Sequence, residues 1–266
     1  MRPLTVSLRA FTRLSIAGKR GLQATDSPET VSRAIRYYPL IGALVGFVMT
    51  IVYLLGSLLL PHALAVVIAL GVGLAIAGAG HEGGLAGTCD GLGGGRTRDD
   101  ALRIMRDARI GAFGATGIVI LLLLRFEALA SIQMGWEGVA FVGSQALSRG
   151  LAVATMMTMP PARAAGGSPP EPLGGPVRIR DGLIAIALGL APAVSFALDS
   201  GDVGPMTAAG GFAILIALLA RWRIKRRLDG YTHETAGAIQ QLAEAAFLVG
   251  LVGYTLGFDA GLVGSS

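Results

Sequence analysis

HEGGLAGTCDGLGGGRTRDD, residues 81–100, decides how this chain is organised, because it interrupts a very apolar sequence with carboxylates, arginines and glycines. The polar character continues through Asp107 and Arg109, and a further apolar run begins at Ile110. Carboxylates ligate hard divalent cations, while arginine and backbone N–H groups bind phosphate oxygens. The stretch therefore predicts either a site for metal and phosphate or a solvated loop between two membrane helices, and its composition alone favours neither.

The remaining composition is typical of a polytopic membrane protein. Of the 266 residues, 53% are hydrophobic, 15% are charged and 40 are glycine, which is far from the averages of soluble proteins. The single cysteine, Cys89, excludes an intramolecular disulfide. The net charge of +5 lies in short segments between apolar runs. We therefore interpret the basic residues as signals of membrane topology and as phosphate-binding groups, and we expect no nucleic-acid partner.

Seven apolar runs approach or reach the roughly 20 residues that a bilayer crossing needs. They cover approximately residues 39–60, 63–80, 110–132, 139–159, 183–198, 206–220 and 236–261. Arginine and lysine accumulate in alternate connecting segments, which the positive-inside rule assigns to the cytoplasm. We predict an all-α polytopic membrane helix bundle of about seven transmembrane helices, or six if the fourth or the last run only re-enters.

The chain is expected to form one integral membrane domain over residues 1–266. The N-terminal segment 1–36 is rich in arginine and is predicted to be cytoplasmic, with Leu4, Leu8 and Phe11 at a spacing that suits a helix along the interface. Residues 81–109 are predicted to form a polar cytoplasmic loop. Residues 160–180 read as a flexible loop, and 221–227 form the densest basic cluster. Segments 81–109, 163–180 and 221–244 should meet at the cytoplasmic face.

Local spacing predicts a short helix within residues 81–109. Thr97 and Asp100 have the spacing of a capping box, which predicts a short helix over Arg98–Asp107. On that helix Arg103, Arg106 and Asp107 lie within about one turn and could share a ligand, although an ordinary charged interfacial helix would look the same.

Two arginines fall within apolar runs. Arg149 lies near mid-membrane depth in the fourth run and should point into the protein, because an arginine facing lipid there is costly. Arg125 lies near the far end of the third run and is expected to reach the interface with its long side chain.

Five stretches carry a resemblance to a known family: FTRL at 11–14, RYYPLIG at 36–42, HE at 81–82 through DGL at 90–92, ALRIMRDARIGAFG at 101–114, and GYT at 230–232 through QQLAE at 240–244. In these stretches the chain resembles the cobalamin synthase family, the adenosylcobinamide-GDP ribazoletransferases. The stretches follow the family's order over nearly the whole chain, and residues 104–114 are the most specific match.

The resemblance implies a multi-pass transferase of the cell inner membrane that requires Mg²⁺ and acts in coenzyme B12 biosynthesis. Such an enzyme joins α-ribazole or its 5′-phosphate to adenosylcobinamide-GDP, which gives adenosylcobalamin or its phosphate and releases GMP. The implied partners are these substrates, membrane lipid and other corrinoid-assembly enzymes.

Phosphoryl transfer requires chiefly metal, cationic clamps and in-line positioning, and the matched residues supply candidates for each role. We expect Asp90, Asp107 and Arg109 to be catalytic, Arg36, Arg103, Arg106 and Gln241 to bind substrate, and Glu82, Asp90 and Glu234 to bind metal. Gly83 and Gly87 stand where the family pattern has aspartates. This motivates an alternative, a catalytically weakened or silent paralogue that acts as a corrinoid-binding membrane scaffold. A solute transporter and a phosphotransferase acting on a lipid alcohol are further candidates.

Overall fold

The computed structural model describes residues 2–13, 22, 26–133, 135–162 and 177–259, and within these ranges it contains helices and no β-strand. The all-α prediction is confirmed. The helices are α1 (Arg2–Phe11), α2 (Pro28–Ala34), α3 (Tyr38–Ser57), α4 (His62–Ala77), α5 (Gly80–Gly94), α6 (Arg98–Met105), α7 (Ala112–Ala130), α8 (Glu137–Thr158), α9 (Ile179–Ser200), α10 (Gly204–Leu228) and α11 (His233–Asp259), with a 3-10 turn at Ile35–Tyr37.

All seven predicted apolar runs form helices, namely α3, α4 and α7–α11. In the described ranges, five stretches are long and apolar enough to cross a membrane: Glu29–Ser57, α7, α9, α10 and residues 233–257 of α11. The pair α4 and α5 makes a sixth if it is one span, although its two axes differ in direction by 87°. The fourth run, α8, is long but falls outside this set because polar residues such as Gln145 and Arg149 lower its mean hydropathy. These side chains are buried among the other helices.

Residues 81–109, predicted to form a polar loop with one short helix, are mostly helical. The short helix is present as α6, and the loop prediction is wrong for α5. Glycine favours loops, but in α5 it permits close contact with a neighbouring helix. A Cβ atom at Gly84 would lie 2.9 Å from the backbone oxygen of Glu234 and 3.4 Å from the Cα atom of Gly237, both in α11. The lack of a side chain at Gly84 therefore lets α5 pack directly on the backbone of α11.

The turn between α4 and α5 is made by two residues with left-handed backbone, Gly78 with φ 82° and Ala79 with φ 56°. The N–H of Gly78 bonds to the carbonyl of Leu74 and ends α4, as is common at helix C-termini. This turn directs α5 away from the line of α4 and against α7 and α11.

The ends of several helices meet at one end of the bundle. The N–H of Ala162 bonds to the carbonyl of Tyr231 at 2.7 Å, and the N–H of Tyr231 bonds to the carbonyl of Pro160 at 2.9 Å. Arg98 Nε donates to the carbonyl of Leu228 at 2.8 Å. The predicted meeting is thus present for the described parts of segments 81–109 and 221–244, which lie beside residues 160–162. Residues 163–176 of the third predicted segment, 163–180, lie outside the described residues.

Two boundaries differ from the sequence prediction. The basic cluster at 221–227 belongs to α10, which continues to Leu228, and does not form a loop. The short helix predicted to end at Asp107 ends at Met105, and its predicted cap is present, because Thr97 Oγ1 accepts the N–H of Asp100 at 3.1 Å.

The contact between α3 and α8 depends on Gly46. A Cβ atom there would lie 2.5 Å from the carbonyl oxygen of Phe141 and 2.7 Å from the Cα atom of Val142. Gly42 and Gly46 have the spacing of small residues that lets membrane helices approach closely. The two backbones are therefore packed without room for a methyl group.

We predict that Gly46→Ala lowers the free energy of unfolding by about 1–3 kcal/mol through overpacking. Thermal unfolding of the purified chain in detergent would show this as a lower midpoint. Gly71→Ala is the matched control, because a Cβ at Gly71 meets nothing within 4 Å and alanine is the better helix former. A midpoint for Gly46→Ala equal to that for Gly71→Ala would contradict the packing described.

Candidate active site

The interior of the bundle holds a cluster of buried polar side chains, which we call the buried ion-pair cluster: Glu82, Arg125, Gln145, Arg149, Gln240, Gln241 and Glu244. Arg125 lies between the two carboxylates. One of its terminal nitrogens is 3.5 Å from Glu82 Oε1 and donates to Gln241 Oε1 at 3.1 Å, and the other forms an ion pair with Glu244. Gln241 Nε2 also donates to Glu82 Oε1 at 2.8 Å. The cluster therefore links α5, α7 and α11.

The same cluster extends to α8. Gln145 Nε2 donates to Glu244 Oε1 at 2.6 Å, and Gln240 Nε2 donates to Glu244 Oε2 at 2.8 Å. Arg149 donates to the backbone carbonyl of Gln145 at 2.8 Å. Two arginines and two glutamates give formal charges that cancel, which reduces the cost of placing them in a medium of low dielectric constant.

The two intramembrane arginines are both inside the protein. Arg149 is 2% exposed, which confirms that it points inward. Arg125 is 3% exposed, so the prediction that it reaches the interface is wrong. The side chain stays inside the protein because Glu82 and Glu244 form ion pairs with its guanidinium there.

Asp90 connects α5 to the beginning of α7. Its Oδ2 accepts the N–H of Gly111 at 2.7 Å, and its Oδ1 accepts the N–H of Gly114 at 2.8 Å. The first N–H groups of a helix have no partners within the helix, so the carboxylate of Asp90 serves as their acceptor. Gly111 and Gly114 also leave space for it, since a Cβ at Gly111 would lie 2.6 Å from Asp90 Oδ1.

A cavity of about 400 Å³ lies between α5, the segment after α6 and the start of α11. Its walls come from Gly80, Gly83, Gly84, Ala86, Gly87, Asp90, Met105, Arg106, Asp107, Ala108, Arg109, Ile110, His233 and Glu234. Five of these residues come from α5 and have little or no side chain, since four are glycines and one is alanine. A Cβ at Gly83 would meet nothing within 4 Å, and one at Gly87 would lie 3.1 Å from the carbonyl oxygen of Met105 and 3.5 Å from Glu234 Cγ.

The cavity places carboxylates beside arginines. Arg109 donates to Asp107 through its backbone N–H and Nε, each at 3.0 Å, and through a terminal nitrogen at 2.7 Å. The side-chain hydrogen bonds from Arg109 hold the pKa of the Asp107 carboxyl well below its usual range. Asp107 is therefore a carboxylate at physiological pH, which suits cation binding better than proton abstraction.

The structure brings some of the predicted site residues together and separates others. Asp90, Arg106, Asp107, Arg109 and Glu234 line the cavity. Glu82 and Gln241 belong to the buried ion-pair cluster.

Two predicted substrate-binding arginines are outside both groups. Arg36 lies 3.6 Å from Asp181 Oδ1 and packs on the ring of Tyr37. Arg103 donates to Asp100 at 3.1 Å on the exposed face of α6.

The predicted metal ligands Glu82, Asp90 and Glu234 are not gathered into one donor set. Within the ranges that the structure describes, no three His, Cys, Asp or Glu side chains are arranged to hold a metal ion. Asp90 and Glu234 nevertheless share the cavity with Asp107. Magnesium commonly uses one or two carboxylates together with substrate phosphates and water, so the cavity residues fit a magnesium ion that binds with a diphosphate.

Sequence reasoning missed two residues of this region. Arg125 was assigned to the membrane interface, although opposite charges in separate apolar runs, Arg125 and Glu244, were a signal that the runs pack together. His233 lines the cavity and is not among the predicted site residues. His81 does not line the cavity, and its Nε2 lies 3.1 Å from the hydroxyl of Tyr38.

A multi-helix membrane protein with arginines and carboxylates around a cavity at one end of the bundle is suited to an anionic substrate. The family model for cobalamin-5-phosphate synthase matches residues 3–252. Curated relatives named adenosylcobinamide-GDP ribazoletransferase include those of Ralstonia nicotianae (36% identity, 96% of each chain), Ralstonia pickettii (38%, 92% of each) and Leptothrix cholodnii (38%, 92% of each).

The chain belongs to the cobalamin-5-phosphate synthase family. It is accordingly an enzyme of the transferase class with a role in cobalamin biosynthesis. The alternative of a silent scaffold has no support in these similarities, since the relatives are named as transferases. No solved structure matches the chain.

We predict that Arg125→Gln lowers the free energy of unfolding by about 3–5 kcal/mol, because it leaves two buried carboxylates without their cation. The double variant Arg125→Gln with Glu82→Gln should recover part of this loss, since one carboxylate is removed as well. Thermal and denaturant unfolding would measure both, with exposed Arg180→Gln as the control. Losses that simply add in the double variant would contradict direct coupling.

We predict that Asp90→Asn exposes the first turn of α7, because an amide offers one acceptor oxygen where the carboxylate offers two. Loss of a helix cap costs about 0.5–2 kcal/mol. Amide hydrogen–deuterium exchange should accelerate at Gly111–Gly114. Asp99→Asn, at an exposed position of α6, is the control and should leave the exchange at Gly111–Gly114 unchanged. Unaltered exchange in Asp90→Asn would show that these bonds do not hold α7.

Proposed function

We propose that this protein joins α-ribazole, or its 5′-phosphate, to adenosylcobinamide-GDP and releases GMP, which yields adenosylcobalamin or its phosphate. The observation that carries the proposal is the cavity that gathers Arg106, Arg109, Asp107 and Glu234 beside the glycine-lined side of α5. Relatives that match more than nine-tenths of the chain are named for this reaction.

The reaction is a substitution at phosphorus. A hydroxyl oxygen of the ribazole attacks the phosphorus atom that carries the cobinamide, and a new P–O bond forms. The P–O bond to the bridging oxygen of the diphosphate breaks, and GMP leaves with that oxygen. The proton of the hydroxyl must be accepted, and we assign this role to His233, which lines the cavity.

Cationic side chains in the cavity would bind the diphosphate. Arg106 and Arg109 project from the segment between α6 and α7 and line the cavity. A guanidinium can donate two parallel hydrogen bonds to a phosphate. Asp107 fixes the side chain of Arg109 through two hydrogen bonds, so we propose that it is a positioning residue for the arginine. The roles expected of Arg36 and Arg103 in substrate binding stay predictions.

We propose Mg²⁺ as the cation that accompanies the diphosphate, held by Glu234 with Asp107 or Asp90. A bound divalent cation neutralises charge on transferring phosphoryl groups. Glu234 lines the cavity and forms no ion pair within the described ranges, so its carboxylate has no competing cation there. The assignment of Glu82 to metal stays a prediction, since its Oε1 contacts Arg125 and Gln241.

We further propose the cell inner membrane as the location, with residues 1–36 and the cavity facing the cytoplasm. The apolar helices support a membrane location, and the arginines around the cavity support the cytoplasmic side through the positive-inside rule. Water-soluble nucleotide substrates would then reach the cavity from the cytoplasm. Other corrinoid-assembly enzymes are proposed partners on the same side.

The proposal is tested by measuring GMP release from adenosylcobinamide-GDP by the reconstituted chain, with α-ribazole 5′-phosphate and a range of Mg²⁺ concentrations. We predict ribazole-dependent release in the wild type. Glu234→Gln should raise the Mg²⁺ concentration for half-maximal rate about tenfold or more, since removal of a ligand weakens metal binding.

Asp229→Asn is the matched control, because Asp229 is a nearby exposed acidic residue at the end of α10 and does not line the cavity. It should leave the Mg²⁺ dependence unchanged. Absence of GMP release from the folded wild-type chain would contradict the proposed reaction. An unchanged Mg²⁺ dependence in Glu234→Gln would contradict the assignment of Glu234 as a metal ligand and would leave the proposed reaction standing.

A further inference from the structure

A second cavity, which we call the α8–α10 groove, lies between those two helices, away from the candidate active site. Its volume is about 260 Å³, and its lining residues are Leu151, Ala154, Thr155, Thr158, Ile214, Ala217, Leu218 and Arg221. Ile214 and Leu218 are exposed. On a membrane-spanning surface such a groove faces the lipid.

The groove is apolar along its length and polar at one end. Arg221 Nε donates to Thr158 Oγ1 at 3.3 Å, and a terminal nitrogen of Arg221 donates to the carbonyl of Thr158 at 3.2 Å. From Arg221, the apolar wall of α10 continues back to Ile214, which is seven residues or about 10 Å of helix away. The groove therefore matches a ligand with a polar head and an apolar chain.

The polar end is strongly basic. The last two turns of α10 carry Arg221, Arg223, Lys225, Arg226 and Arg227 and no acidic residue. In the described part of the chain none of the five forms an ion pair with a carboxylate. Arg227 instead donates to the carbonyl of Gly95. The basic charge next to the groove is thus available to an anion.

An exposed tryptophan lies next to Arg221, at the polar end of the groove. Trp222 is exposed next to Arg221, and the guanidinium of Arg226 lies 5.5 Å from its ring centroid. Tryptophan is enriched at the level of lipid headgroups, where its ring is half in the apolar region. A headgroup-level position for the last turns of α10 places the groove beneath the headgroups, alongside the acyl chains.

We propose that the α8–α10 groove binds one acyl chain of an anionic phospholipid, whose phosphate contacts Arg221. The neighbouring cations of α10 add attraction for a headgroup with net negative charge. A zwitterionic lipid with the same chains would fill the groove but would lose this attraction. Free phosphate would meet the cations but would leave the apolar groove empty.

The test uses the full chain in detergent and native mass spectrometry, with dioleoyl-phosphatidylglycerol and dioleoyl-phosphatidylcholine as competing probes. We expect the wild type to retain phosphatidylglycerol about fivefold or more over phosphatidylcholine, given the number of basic residues. Arg221→Gln removes the phosphate contact, and Ala154→Phe fills the groove. Each variant should abolish the preference.

Arg180→Gln is the matched control, because Arg180 is an exposed arginine in the first turn of α9 and does not line the groove. It should leave the preference intact. Equal retention of the two lipids by the wild type would overturn the proposal, as would a preference that survives Ala154→Phe. Displacement of the lipid by inorganic phosphate would likewise overturn it and indicate a phosphate site. If Arg221→Gln does not fold, the wild type and Ala154→Phe decide.

Discussion

The ion pairs of Arg125 with Glu82 and Glu244 are the constraint on which the candidate active site depends. Buried charges are costly unless they are paired, so these contacts favour the arrangement that keeps α5 against α7 and α11. In that arrangement Asp90 lies beneath the first turn of α7 and accepts its N–H groups. The position of α5 in turn forms one wall of the cavity that holds Arg109 and Glu234.

The inner wall and the rim of the cavity differ in composition. Its inner wall is α5, which is fixed by buried contacts, and its rim carries Asp107 and Arg109 between α6 and α7. Phosphoryl transfer depends mainly on positioning and on charge stabilisation. A fixed wall with small residues leaves space for a bulky substrate, while the rim supplies the charged groups. This division of roles accounts for the polar stretch that interrupts the apolar sequence.

Much of the fold was predictable, because apolar runs of about 20 residues specify membrane helices with little ambiguity. The capping role of Thr97 and the inward position of Arg149 also followed from local rules. The helical state of α5 did not, since eight glycines between 80 and 95 favour a loop and only packing on α11 overrides that preference. The pairing of Arg125 with Glu244 joins residues 119 positions apart in sequence, counted from 125 to 244, and local patterns do not encode such a distance.

The measurement that tests the account most directly is cysteine labelling with a membrane-impermeant maleimide in sealed inside-out and right-side-out vesicles. In a Cys89→Ser background, Ile110→Cys reports on the exposed rim of the cavity and Asp199→Cys on the other end of α9. We expect Ile110→Cys to react only in inside-out vesicles and to be protected by adenosylcobinamide-GDP, and Asp199→Cys to react only in right-side-out vesicles without protection. Labelling of Ile110→Cys from the outside, or no protection by the nucleotide, would contradict the account.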